Sequence, residues 1–69
     1  MDMWFQKNWI EVAEAVPKKW PRLTLLDREL IQRKRERLER LLQHRYELSP
    51  NEAQRWVDEL KGSIEKYDN

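Results

Sequence analysis

The residues best placed to do chemistry are Arg33, Arg37, Arg40 and His44. They fall at i, i+4, i+7 and i+11, so a helix would carry them as one basic row. Such a row can track the phosphates of a nucleic acid. Catalysis has little to work with. The chain holds no cysteine and a single histidine, which argues against thiolate chemistry, thiolate metal sites and histidine-based metal sites or triads. His44 lies in a charged helix, where a solvated side chain is the expectation. Ser49 reads as a helix cap, and Ser63 lies near the C-terminal end. Asp58 and Glu59 sit on a helix surface with Arg55 and Lys61 in pairing range. No glycine-rich phosphate loop or metal motif occurs, and a chain this short is expected to lack a substrate cleft of ~300 Å³. No catalytic, cofactor-binding or metal-ligating residue is therefore assigned, and no cofactor is expected. The expectation is a non-enzymatic protein whose candidate partner surface comprises Arg33, Arg37, Arg40, His44 and Trp4. Trp4 sits ahead of the main apolar stripe, either as a lid over the core or as an exposed contact residue.

The charge distribution bears on what such a surface would meet. The formal net charge is only +1. Residues 28–45 carry seven Lys/Arg against three Asp/Glu, whereas residues 47–69 carry three against six. Either the basic and acidic segments pack together and partly neutralise, or the basic segment meets an acidic partner. Glu29–Arg33 and Glu36–Arg40 are also spaced as i,i+4 pairs in the favourable order, each worth ~0.2–0.5 kcal/mol. Action through protein contacts, or as a small protective protein, is the first expectation, with a protein partner possible. A weak nucleic-acid-binding module using the basic face is the alternative.

Positioning the row falls to a helical stretch over residues 23–48. Thr24 is placed to cap it, with Asp27 at the reciprocal position of a capping box. Leu26, Leu30 and Ile31 recur at helical spacing, as do Leu38, Leu41, Leu42 and Tyr46. Residues 32–37 contain nothing apolar. Either one helix crosses a solvent gap, or two helices meet at a bend near residues 32–34, and the bend is the expectation. Ahead of this stretch, Asp2 can cap a first helix, and Phe5, Trp9, Val12 and Val16 fall on one face, widened by Ile10 and Ala13. Pro17 should end or kink that helix and push Val16 from helical angles. Lys18, Lys19, Trp20 and Pro21 then form a turn or a single extra helical turn, with Trp20 and Leu23 tucked beneath the first helix.

Ser49-Pro50-Asn51-Glu52 is the strongest local signal, matching the N-cap, N1 and N3 positions of a capping box. Ala53, Trp56, Val57 and Leu60 line one face after it, continued by Ile64 and Tyr67. Gly62-Ser63 either ends this helix or weakens it by ~1 kcal/mol. No strand pattern or hairpin turn competes. The fold class is all-α: three or four short helices in a small bundle, for which two crossed helical hairpins are one arrangement. The 69 residues form one domain, with residues 61–69 as a fraying end. A chain of this size buries only ~60% of its unfolded surface. The four tryptophans compensate, and Trp9, Trp20 and Trp56 are assigned to the core. No apolar run approaches the ~20 residues that span a bilayer, and no export signal is apparent. A monomer in the cytoplasm, away from membranes, is expected.

One series of residues resembles a known family. Asn8-Trp9, Trp20, Leu23-Thr24, Asp27, Ile31, Lys34-Arg35, Leu38, Gln43, Arg45-Tyr46, Ser49, Glu52-Ala53 and Val57 occur in the order and spacing of the CsbD-like small bacterial general-stress proteins. The resemblance runs without gaps over about residues 8–60. It implies a small helical cytoplasmic protein, more abundant under stress, with no established biochemical activity and no catalytic residues to carry over. The chain departs from the family at Glu14, Arg33, Arg40 and Glu47, where glycine is usual. Pro17 falls inside what is normally the first helix, and the family's late tryptophan is replaced by Leu60, with Trp56 nearby.

Overall fold

In the computed structural model, residues 3–67 are described, with side chains for residues 3–66. They form five helices: α1 Met3–Lys7, α2 Trp9–Lys19, α3 Leu25–Ile31, α4 Arg35–Tyr46 and α5 Pro50–Tyr67. No strand occurs among the described residues. The capping role expected of Asp2 and the place of the Tyr67 side chain on the α5 stripe lie outside the described residues. Helix α5 packs on α4 and on α2, α3 packs on α4, and α1 on α2.

The core follows from the apolar stripes. Helices α1 and α2 contribute Phe5, Val12 and Val16, and α4 contributes Leu38 and Leu42, all buried. Helix α5 covers them with Ala53, Val57, Leu60 and Ile64. Trp20 and Leu23, from the α2–α3 connection, are buried as expected. Full burial of each such aliphatic or aromatic side chain contributes roughly 1.5–3 kcal/mol. Trp9 and Trp56 are half-buried against this core. The Trp56 ring stacks on Trp20 at 6.4 Å and takes the edge of Tyr46 at 5.2 Å.

The break at Asn8 differs from the sequence expectation, whereas the chain after Pro17 takes the extra helical turn that was one of the two alternatives there. The first helix is divided at Asn8, whose backbone (φ −105°, ψ 22°) leaves the helical region. Its side-chain amide donates to the Trp4 carbonyl at 2.9 Å, beside its own backbone N–H at 3.0 Å. Asparagine's local bonding thus competes with the helix ladder. Pro17 does not end the helix: α2 continues through it to Lys19, with Val16 inside the helix. Proline removes one ladder donor, but burial of Val12, Val16 and Trp20 holds both sides of it. The Trp20 N–H reaches the Val16 carbonyl at 2.8 Å to close the last turn. Lys18 and Lys19 therefore lie in that last turn, where cations complement the helix dipole.

The bend falls where expected. Gln32 and Arg33 adopt positive φ (50° and 63°), and α4 restarts at Arg35. Glu47 ends α4 the same way (φ 52°), with the N–H groups of Glu47 and Leu48 bonded to the Gln43 carbonyl. Ser49 then caps α5: its hydroxyl accepts the Glu52 N–H at 3.2 Å, and the Glu52 carboxylate accepts the Ser49 N–H at 3.0 Å. Gly62 does not end α5, which runs on to Tyr67.

Glycine is thus absent where the backbone is left-handed and present inside a helix. A Cβ at Gly62 meets nothing within 4 Å, so Gly62→Ala should stabilise by about 0.5–1 kcal/mol. Glu47→Gly should stabilise by a similar amount, about 0.5–1 kcal/mol, by relieving a left-handed residue. Ser49→Ala should cost ~1 kcal/mol through the lost cap. Thermal melts of the three variants check all signs, at about 4–8 °C per kcal/mol for a domain of this size.

Candidate interaction surface

Burial of Leu38 and Leu42 fixes the rotation of α4 and turns Arg40 and His44 outward. The four-residue row is nonetheless broken. Arg33 lies in the left-handed bend rather than on α4, and it lines a groove between α2 and α3. Arg37 is half-buried, not exposed as a free basic residue would be. Its Nη1 donates to the Leu30 carbonyl at 3.2 Å and to Gln32 Oε1 at 2.7 Å. Arg37 therefore satisfies a carbonyl at the C-terminal end of α3 and braces the bend. Arg40 and His44 are exposed, and together with Arg37, Leu30 and Leu41 they line a concavity of about 260 Å³. Trp4 is half-buried in α1, under the Lys61 ammonium at 5.4 Å from its ring, and lines a different groove. It is a lid held by a cation–π contact rather than a neighbour of the basic residues.

The expected Glu29–Arg33 and Glu36–Arg40 pairs are not among the ion pairs of the described residues. Arg35 carries the contacts instead. It bonds Glu39 at 2.7 Å, Asp58 of α5 at 2.7 Å and the Gln54 carbonyl at 3.1 Å. The basic segment is thus tied to the acidic one, and Asp58 pairs with Arg35 rather than with its own helix. The Arg35–Glu39 contact has i,i+4 spacing, but no periodicity marks Arg35 for its contacts with α5. The only signal was the opposite charge of the two segments.

A polar junction that sequence reasoning missed joins α3 to α4. Asp27, only 4% exposed, accepts Arg45 Nε at 2.9 Å and Arg45 Nη2 at 3.0 Å. It also completes the expected capping box with Thr24: the Thr24 N–H reaches Asp27 Oδ2 at 3.1 Å, and the Asp27 N–H reaches the Thr24 hydroxyl at 3.0 Å. Beside it, the Tyr46 hydroxyl accepts the Arg22 N–H at 3.2 Å, while the Arg22 guanidinium lies 5.3 Å above the Tyr46 ring. The Arg45 hydrogen bonds hold the Asp27 carboxyl below its ordinary value. Burial opposes this shift, and the Thr24 N–H reinforces it. Glu52 is likewise held low, first by the Ser49 backbone N–H.

The outer face of α3 departs most from expectation. Leu26 and Leu30 were assigned to the apolar stripe with Ile31, yet they are 66% and 50% exposed, and Leu25 is 65% exposed. Only Asp27 and Ile31 of α3 are buried. Ile10, expected to widen the α2 stripe, is 72% exposed. Between α2 and α3 lies an open groove of about 630 Å³, larger than expected of so small a domain. Trp9, Ala13, Leu25 and Ile31 supply its apolar walls, and Arg28, Arg33 and Glu29 its charged groups. Its lining holds no hydroxyl, thiol or imidazole.

The lowered Asp27 carboxyl has a pH signature. A carboxylate whose folded pKa lies below its unfolded value stabilises the fold at higher pH, and that contribution is lost as pH falls through the folded pKa. Asp27 and Glu52 both act in this sense. Wild-type stability should therefore fall as the pH is lowered from about 5 into the acid range below the ordinary carboxylate values. Asp27→Asn should cost about 1–3 kcal/mol near neutrality, and its deficit against wild type should shrink in acid. Urea denaturation across that range measures both, and a deficit independent of pH would remove Asp27 as the responsible group.

No helix among the described residues is long and apolar enough to cross a membrane. Comparison of the chain with protein-family models, curated proteins and solved structures finds no match.

Proposed function

We propose that the chain is a small non-enzymatic bacterial stress-response protein of the CsbD-like kind, monomeric and cytoplasmic, acting through protein contacts or as a protective protein. The observation that carries this reading is backbone geometry. Of the four positions where the family usually has glycine, Arg33 and Glu47 have positive φ here, the conformation that glycine adopts without strain. Glu14 and Arg40 lie inside helices and add nothing to the argument.

The other residues of the resemblance support it in a second way. Thr24, Asp27 and Arg45 close one hydrogen-bonded junction, Trp20 stacks on Trp56 beside Tyr46, and Ser49 and Glu52 cap α5. Their joint occurrence is accounted for by the fold and needs no catalytic role. In the same reading two crossed helical hairpins remain the proposed arrangement, which the packing of α4 on α5, α3 on α4 and α2 on α5 supports. A protein partner suits the surface better than a nucleic acid. Arg37 is engaged within the fold, Arg33 is off the row, and the exposed Leu30 shares a concavity with the remaining Arg40 and His44.

Immunoblots across heat, osmotic and starvation stress should show raised abundance. Pull-downs from stressed cells, treated with nuclease and washed in high salt, should retain a protein partner. Unchanged abundance under every stress would overturn the stress-response reading. Recovery only of nucleic acid, lost steeply with salt, would replace protein contacts with the nucleic-acid module.

A further inference from the structure

We infer that the outer face of α3, with the concavities on its two sides, docks an acidic amphipathic helix of a partner protein. The inference rests on the protein-contact reading above and specifies the chemistry of the contact.

The shape is that of a ridge between two depressions. Leu26 and Leu30 are i,i+4 neighbours on the exposed side of α3, and Leu25 stands one residue ahead of them. On one side runs the groove of about 630 Å³ walled by Trp9, Ala13, Leu25 and Ile31. On the other lies the concavity of about 260 Å³ shared by Leu30 and Leu41. Contiguous exposed apolar surface of this kind marks interaction surfaces. Grooves flanking an apolar ridge receive the i, i+3, i+4 and i+7 side chains of an incoming helix.

The charge selects the occupant. Arg28 and Arg33 line the larger groove, and Arg37, Arg40 and His44 the smaller one, whereas Glu29 is the only carboxylate lining either. A second copy of this chain is a poor fit. Face-to-face pairing would set arginines against arginines, and juxtaposed like charge opposes association. Helix α5 does not substitute, because none of the large exposed hydrophobic residues among those described lies on it. The occupant must bring apolar side chains and carboxylates together, which an acidic amphipathic helix does.

The probe is a synthetic helical peptide with leucines at i, i+3, i+4 and i+7 and glutamates elsewhere, compared with the same peptide carrying lysines in place of the glutamates. Titration into the full chain, followed by calorimetry and amide chemical shifts, should show binding of the acidic peptide alone. The shifts should centre on α3 and on residues 9–13 and 37–44. Leu26→Gln combined with Leu30→Gln should weaken binding by about tenfold or more, and so should Arg33→Gln combined with Arg40→Gln. All four side chains are exposed, and a thermal melt verifies that each variant folds. Shift mapping on the unmodified chain tests the surface without any variant. Absence of binding, equal binding of the lysine peptide, or shifts on another face would overturn the proposal. So would a dimer in sedimentation that the leucine variant dissolves, which would assign the face to a second copy. Tighter binding to phosphatidylglycerol vesicles than to the peptide would assign it to a lipid surface. None of these outcomes bears on whether stress raises the protein's abundance, so the two readings fail separately.

Discussion

The buried carboxylate of Asp27 is the constraint on which the arrangement of α3 depends. A charge taken out of water is costly unless it is paired and hydrogen-bonded. Here it meets both conditions at once, through the Arg45 guanidinium and the Thr24 backbone N–H. The pair is asymmetric. Asp27 is almost wholly buried, while the Arg45 side chain is about half exposed, so the arginine keeps much of its hydration and the carboxylate carries most of the desolvation cost. Because Thr24 and Asp27 start α3 and Arg45 lies in the last turn of α4, the junction fixes the two helices end against end. Tyr46 extends it. Its hydroxyl holds the Arg22 backbone, and its ring borders Trp56, which in turn stacks on Trp20. One polar contact and one aromatic chain thus register the α2–α3 connection, α4 and α5 together.

The bend is the second constraint. Two consecutive left-handed residues, Gln32 and Arg33, cost roughly 1–2 kcal/mol each relative to right-handed helix. Arg37 offsets part of that by bonding the Leu30 carbonyl and the Gln32 amide. Without the bend, α3 and α4 would be one rod. With it, α3 folds back against α4, so that Asp27 meets Arg45. The same geometry leaves α3 with a core-facing edge only two side chains wide, Asp27 and Ile31, and its leucines face away.

Much of this was legible in the sequence because its causes are local. The capping boxes of Thr24–Asp27 and Ser49–Glu52 are written in adjacent residues, and both form. The gap in the apolar pattern over residues 32–37 marked the bend, and the Phe5, Val12, Val16 and Leu38, Leu42 stripes are buried. The misreadings share a different cause. Periodicity says which residues share a face, not whether another element covers it, so Ile10, Leu26 and Leu30 read as core and are exposed. Proline's preference is likewise local, and tertiary burial on both sides of Pro17 overrides it. The basic row set Arg33 just ahead of the helix that carries Arg37, Arg40 and His44, and the left-handed bend takes it off that face. Pairings such as Asp27–Arg45 and Arg35–Asp58 span 18 and 23 residues, and nothing in their spacing announces them.

The exposed leucines matter because of the chain's size. A 69-residue domain has little apolar surface to spare, and an unconstrained packing would turn Leu26 and Leu30 inward, as their spacing suggests. Instead the inner edge of α3 carries a charge whose partners lie on α4 and at its own N-terminus. Rotating α3 to bury the leucines would pull Asp27 from Arg45 and leave the carboxylate to find water. The leucines are therefore outside because the aspartate is inside. In consequence α3 is held largely by one ion pair, one capping box and Ile31, the least apolar attachment of any long-range packed helix in the fold. A ligand that covered the leucines would add burial where α3 has least. By linkage, its binding free energy would then stabilise the native chain, and most directly the element that now depends on Asp27.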